Sequence, residues 1–366
     1  MSSEKHVTVK LPFVSQDSTN LDMLRSVAVL LVLLDHTLKF FGHEYVLGSE
    51  VNWWGRLGVA LFFVHTSLVL MLSLERSKVK GWRLPASFYI RRAFRILPLS
   101  AAVVLLVWLL NIPQLRVLHL GFAQAHVPPT VLLSNLTLTQ NLFANGFNIL
   151  GQLWSLPIEL DMYLVFPLLY ILATRRGLFF VLAAWPVAVM VAAVATAIPS
   201  LWRVNFLQFA PCFVPGVMAF ALSKKVQSRL HPWLFPLALA LVVGVFLAHS
   251  AWPMAWVVCL LLGVSIPFFR DQGNVFVNRI SHRIAKYSYG VYLGHTLCIW
   301  AAFCALSGLP RILQWPLFAV LLVAVPYVMF VAIERPGIEL GKRVSMTIIP
   351  TPKRLPVESA TSVGCG

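Results

Sequence analysis

Charge is scarce in this chain, and acid is scarcest. Only 11% of the 366 residues are Asp, Glu, Lys or Arg, and 13 acids stand against 29 bases. Soluble domains carry about 25% charged residues, so an ordinary soluble globule is excluded. Cysteine is equally sparse. The five are Cys212, Cys259, Cys298, Cys304 and Cys365. No pair has metal-ligand spacing, and four lie in apolar runs as small hydrophobic residues, so neither a disulfide framework nor a metal site is expected. There is no Gly-rich phosphate loop, no HExxH and no GxSxG, which sets aside the chemistries those motifs serve. No internal repeat is visible. The first twenty residues are polar and lack a cleavage pattern, so the first apolar run, Leu21–Phe41, is expected to remain as a signal anchor.

What the chain has instead is apolar length. Hydrophobic residues make up 59% of it and the mean hydropathy is +0.80. The expected fold class is all-α, a polytopic membrane protein. Ten runs are long enough to span, near 22–42, 57–74, 96–112, 153–173, 178–198, 206–223, 233–249, 252–269, 287–306 and 314–333. The net charge of +16 could suggest nucleic acid, but the bases lie in short clusters between the apolar runs. With a cytoplasmic N-terminus, 24 of the 29 Lys and Arg fall on the cytoplasmic side, and Lys39, Arg56, Arg116, Arg203 and Arg311 do not. The positive-inside rule therefore favours about ten spans with both termini cytoplasmic, and an odd count would spoil the alternation. The longest outer segment, about 113–152, contains VLLSNLTLTQNLF, too polar for a span and suited to a short surface or re-entrant helix. Its Asn135-Leu-Thr triplet is discounted as a glycosylation site, because nothing else indicates a eukaryotic secretory origin. The tail after Pro350 reads as short, polar and disordered, with no extra soluble domain attached.

Polar residues inside such runs are costly and need a reason. Arg25 and His36 share the first run, eleven residues apart. At about 100° per residue they return to nearly one face, about 16 Å apart along the axis. A neutral imidazole near mid-membrane suits a general base, or a histidine bonded to a neighbouring helix. Asp35 projects about 100° from His36 and is not automatically its partner. Arg91, Arg92 and Arg95 lie at the cytoplasmic mouth of the third run. Arg92 and Arg95 share a face, suited to phosphates through forked hydrogen bonds or to lipid headgroups as an ordinary anchor. Glu159 and Asp161, two apart, point to different sides of their helix. Glu159 either orients an acceptor hydroxyl or pairs with a buried cation. His295 reads first as a satisfied interhelical histidine, and His65 and Lys39 are weaker candidates, Lys39 snorkelling to the outer surface. Trp53, Trp54, Trp154 and Trp252 read as interfacial belts.

Taken together these segments resemble the acyltransferase 3 family of integral membrane O-acyltransferases. The carrying stretches are LDMLRSVAVLLVLLDH (21–36), GVALFFVHTSLVL (58–70), FYIRRAFRILP (88–98), LLSNLTLTQNL (132–142), LWSLPIELDMYLVFPLL (153–169), YSYGVYLGH (287–295) and IERP (333–336). They occur in the family's order across nearly the whole chain. Arg25 and His36 resemble its Arg-x10-His motif, Arg92 and Arg95 its R-x-x-R motif, and Trp154-Ser-Leu-x-x-Glu159 its third signature. Two departures touch helix packing. FFVHTSL at 62–68 lacks the glycine of the usual F-F-V-x-S-G-F, and Met162 replaces an aromatic.

The resemblance implies transfer of an acyl group, commonly acetyl, from cytoplasmic acyl-CoA (acetyl-CoA) to a hydroxyl of a glycan or glycolipid acceptor, with no bound cofactor. Arg25, Arg92 and Arg95 would hold the donor, and His36 and Glu159 would be catalytic. Asp161 and His295 are possible secondary residues. The expected division is a cytoplasmic tail over 1–20, a transmembrane acyltransferase domain over 21–340 and a cytoplasmic tail over 341–366, in the inner membrane of a bacterium. A transporter of a lipid-linked sugar or organic anion is the rival reading, lowered by the missing repeat.

Overall fold

A computed structural model describes residues 18–77, 79–112, 127–143 and 146–349. The expectations placed on the N-terminal tail, on residues 113–126 and on the tail from Pro350 lie outside the described residues, as does the role expected of Cys365. Within them the chain is helical, apart from one small hairpin. The helices are α1 Thr19–Phe40, α2 Asn52–Glu75, α3 Arg83–Leu109, α4 Pro129–Leu136, α5 Gln140–Phe143, α6 Ser155–Ala197, α7 Phe206–Ser223, α8 Leu234–Ala248, α9 Trp252–Ser265, α10 Val275–Trp300, α11 Arg311–Met329 and α12 Arg335–Ile348. Strands β1 Tyr45–Val46 and β2 Ser49–Glu50 pair antiparallel between α1 and α2. Leu47 and Gly48 both take positive φ there, 52° and 78°, which a two-residue hairpin turn of matching twist requires.

Each of the ten apolar runs falls on helix. Length and composition alone single out five elements able to cross a membrane among the described residues: Asn52–Glu75, Arg83–Leu109, Gly151–Ala197, Phe206–Ser223 and Arg311–Ile348. Leu234–Ala248 and Trp252–Phe268 are shorter and apolar. Helices α1 and α10 fall outside that set because of what they carry: Asp22, Arg25, Asp35 and Lys39 on one, Arg279, Arg283 and Lys286 on the other. The polarity that disqualifies α1 is in part its candidate chemistry. Helix α6 would be about 65 Å long if continuous, twice a hydrocarbon core of about 30 Å. It is not continuous. Gly177 has φ 74° and ψ −164°, a left-handed break that separates two helices where the sequence shows two apolar runs.

Helix α1 packs on α2 and α10, α2 on α7, and α7 on α6 and α9. Helices α1 and α10 run parallel. Ser18 Oγ donates to Asp271 Oδ1 at 2.6 Å, Ser26 Oγ to the Ser281 carbonyl at 2.9 Å, and Arg25 Nε to Ser288 Oγ at 2.6 Å. Helix α12 runs through residue 340 and lies along the N-terminal half of α3, with Ser345 Oγ 2.8 Å from Ser87 Oγ. In the described part of segment 113–152 the chain forms two short helices, α4 and α5, rather than a span. Asn135 is fully buried. Its amide donates to the Val131 and Phe147 carbonyls and accepts from the Ile149 N–H, so it is committed to the fold.

Helices α2 and α7 approach closely at Gly216. A methyl on Gly216 would collide with Ser67 Oγ and the Val64 carbonyl, and would sit 2.7 Å from the Leu68 nitrogen. Gly244, mid-helix in α8, has nothing within 4 Å. Gly216→Ala is expected to cost about 1–3 kcal/mol, as overpacking does. Gly244→Ala should cost nothing. Thermal unfolding of the detergent-solubilised variants checks the pair, and equal melting temperatures would refute the packing argument.

Candidate functional site

Two cavities open side by side between α1, α2, α6 and α10, sharing Val59 and Tyr292 in their walls. The first, about 840 Å³, contains Arg25 from α1, Arg92 and Arg95 from α3, and Glu159 from α6. The second, about 980 Å³, contains Asp35, His36 and Lys39 from α1, Arg56 from α2, and Trp154 and Trp252. The sequence expectation that Arg25 and His36 share a face holds geometrically. Arg25 meets Ser288 of α10, and the His36 ring lies 4.9 Å from the His295 ring, seven residues further along α10. Three turns of α1 carry them into different cavities.

In the arginine cavity, Arg92 and Arg95 lie one turn apart and line one wall, while Arg91 does not line it and its Cα lies near Gly341 of α12. Glu159 belongs with them. Its Oε1 accepts a 2.5 Å hydrogen bond from Tyr163, one turn on, and Arg92 faces both groups. Among the described residues no hydrogen bond joins Glu159 to His36. Asp161, on another side of α6, accepts from Asn141 Nδ2 at 2.9 Å and lines neither cavity. A residue the sequence motif contained, without a role, is Glu334. It is 2% exposed, in a π-helical turn between α11 and α12, and its carboxylate lies in the field of Arg95 and Arg25. Its signal was a carboxylate at the end of an apolar run, akin to the one that picked out Glu159. His65, ranked low from sequence, also lines this cavity and is buried.

In the second cavity, His36 Nδ1 lies 3.0 Å from the Val32 carbonyl of its own helix and 3.7 Å from Asp35 Oδ2. A carbonyl only accepts, so Nδ1 carries the hydrogen in the neutral ring and Nε2 keeps its lone pair. Asp35 is not the partner of His36. It pairs with Lys39 at 2.7 Å, one turn on, and Lys39 also donates to Asn52 Oδ1 at 2.8 Å. Lys39 is thus tied inside the protein rather than snorkelling freely. His295 is 1% exposed; its Nδ1 bonds the Val291 carbonyl at 2.9 Å and its Nε2 is buried without a partner. The satisfied interhelical histidine expected there is therefore only half satisfied. The tryptophans are corrected too. Trp154 and Trp252 line the cavity, Trp54 is buried, and Trp53 holds Arg56, so these four serve the interior instead of forming a belt.

A turn of 3₁₀ helix, Gly151–Trp154, leads into α6 and divides the cavities. Gly151 and Trp154 line the His36 side, and Ser155 and Glu159 the arginine side. Gln152 clamps this turn to α10, donating to the Leu293 carbonyl at 3.0 Å and to Thr296 Oγ1 at 2.9 Å. The Tyr292 hydroxyl donates to the Gln152 carbonyl at 2.5 Å and lies 2.6 Å from Ser155 Oγ. Removing the hydroxyl strands two buried groups. Tyr292→Phe is expected to cost about 1–3 kcal/mol, and Ser155→Ala less, because Tyr292 keeps its carbonyl. Thermal unfolding of the two variants tests the order.

The family model for the acyltransferase domain of the acyltransferase 3 family matches residues 18–331, which takes in every residue of both cavities. No curated protein and no solved structure matches the chain.

Proposed function

Because the chain belongs to the acyltransferase 3 family and is a multi-pass membrane acyltransferase, we propose that it moves an acyl group, acetyl in the simplest case, from cytoplasmic acyl-CoA to a hydroxyl of a glycan or glycolipid. The observation that carries this reading is the pair of cavities meeting at Val59 and Tyr292: three guanidiniums in one, an unprotonated imidazole nitrogen in the other. Guanidiniums bind phosphate through forked, charge-assisted hydrogen bonds. Arg25, Arg92 and Arg95 hold the phosphates of the donor, with Glu159 and Tyr163 orienting the arginines. The thioester arm passes the Tyr292 partition toward His36. His36 Nε2 takes the proton of the acceptor hydroxyl as its oxygen attacks the thioester carbonyl. The carbon–sulfur bond breaks, the thiolate leaves and takes up that proton, and the ester is the product. A variant of the same chemistry has His36 carry the acyl group briefly itself.

Positioned general bases contribute roughly 10²–10⁴-fold. His36→Ala is expected to lower transfer by about that factor with protein level preserved. Membrane vesicles fed acetyl-labelled acetyl-CoA and a glycan extract of the source cells give the readout, as label in an alkali-labile ester. Unchanged labelling in His36→Ala would end this mechanism.

The membrane is, on this reading, the inner membrane of a bacterium, crossed ten times with both termini cytoplasmic. Support comes from the distribution of Lys and Arg and from the parallel packing of α1 and α10, which an odd number of intervening crossings requires. Alkaline phosphatase fused after Gly48 is expected to be active, and after Ser77 or Lys225 inactive. The inverse pattern would reverse the orientation.

A further inference from the structure

The His36 cavity holds two cations, and they are not equivalent. The Lys39 ammonium is spent within the protein on Asp35 and Asn52, at 2.7 and 2.8 Å. Arg56 lines the same cavity, and its guanidinium lies over the Trp53 ring at 4.7 Å and near the Trp252 ring at 5.5 Å. Among the described residues it has no carboxylate partner and no hydrogen-bond acceptor. Glu50 adds to the negative field at Asp35, but it does not line the cavity. Stacking engages the face of a guanidinium and leaves its in-plane N–H fork open, and that fork matches a carboxylate or phosphate. The Asp35 carboxylate lies within the field of Arg56 but is bonded to Lys39, so the Arg56 fork is left without a direct counter-charge and is open to one from a ligand. The other walls carry the indoles of Trp154 and Trp252, flat surfaces suited to the apolar face of a pyranose.

We propose that the acceptor is an anionic glycoside, with a carboxylate or phosphate on the sugar that bears the acylated hydroxyl, and that Arg56 is the residue that reads this charge. The inference rests on the acyltransferase reading above for what the ligand does there, and deepens it by naming the acceptor's class. One ligand spans the cavity: its anionic group on the Arg56 fork, its ring over an indole, its hydroxyl at His36.

Binding to the purified protein in nanodiscs, measured by calorimetry with no acyl donor present, tests this directly. The probes are methyl glucuronide, methyl glucoside and methyl glucoside 6-phosphate, against wild type, Arg56→Gln and Arg56→Lys. At least one anionic probe should bind wild type tenfold or more tighter than the neutral glucoside, and the better of the two tells carboxylate from phosphate. Arg56→Gln should reduce that probe to the level of the glucoside. Arg56→Lys should fall between, keeping the charge and losing the fork. Equal binding of all three probes to wild type would overturn the proposal, and needs no variant to fold. So would absence of binding by both anionic probes, or an anionic preference that survives Arg56→Gln. Selective binding combined with no acyl transfer from any acyl-CoA would uphold Arg56 as the anion reader and remove the transfer reading instead.

Discussion

The parallel contact between α1 and α10 is what the two cavities depend on. Three pairings along it, Ser26 with the Ser281 carbonyl, Arg25 with Ser288 and His36 with His295, set how far each helix is displaced along the other. Once that register is fixed, the eleven-residue spacing of Arg25 and His36 puts the guanidinium and the imidazole at opposite ends of one seam. Tyr292, on α10 between Ser288 and His295, then stands in both cavity walls. Its hydroxyl holds the entrance turn of α6 through the Gln152 carbonyl and Ser155. A slip of α1 by one turn along α10 would move Arg25 away from Ser288 and His36 away from His295 together.

The same contact explains why the two most polar helices are the ones at the centre. In a lipid-like surrounding an unpaired polar group is expensive, so polar side chains collect where they can satisfy each other or face a cavity. Helix α1 does this with short-range means: the Val32 carbonyl for His36 and Lys39 for Asp35. Helix α2, by contrast, buries most of its apolar length between its neighbours and brings its backbone against α7 where Gly216 offers no side chain. Small residues at such crossings allow the close approach that packing in membranes relies on.

Much of this was legible in the sequence because it depends on local period. The ten apolar runs fall on helices, Gly177 and the preceding Arg175-Arg176 mark the break in α6, and the 3.6-residue turn puts Arg92 with Arg95 and returns Arg25 and His36 to one face. What the sequence did not reveal depends on tertiary partners. Nothing local says that Glu159 faces the arginines, that Asp161 is taken by Asn141, that Asp35 belongs to Lys39, or that Glu334 arrives beside Arg95 from the far end of the chain. The tryptophans misled for a definite reason. Lying near span ends predicts depth in the bilayer, not which way the indole turns, and here Trp154 and Trp252 turn inward.

Charge balance ties the cavities to the proposed reaction. In the walls of the first, Arg25, Arg92 and Arg95 are met by one carboxylate, Glu159, while Glu334 and Asp22 act on Arg25 from behind. In the second, Asp35 answers Lys39 and leaves Arg56 over. Each cavity therefore has more cations than carboxylates in its walls. Full neutralisation would have made both cavities stable and indifferent to anions. Leaving out all counter-charge would have pushed the arginines apart in a medium that screens them poorly. A partial excess suits the anionic ligands of the proposed reaction while keeping the protein folded. Tyr292 and Val59 stand between the two cavities, so in the proposed reaction the donor held on one side reaches His36 only by passing this partition.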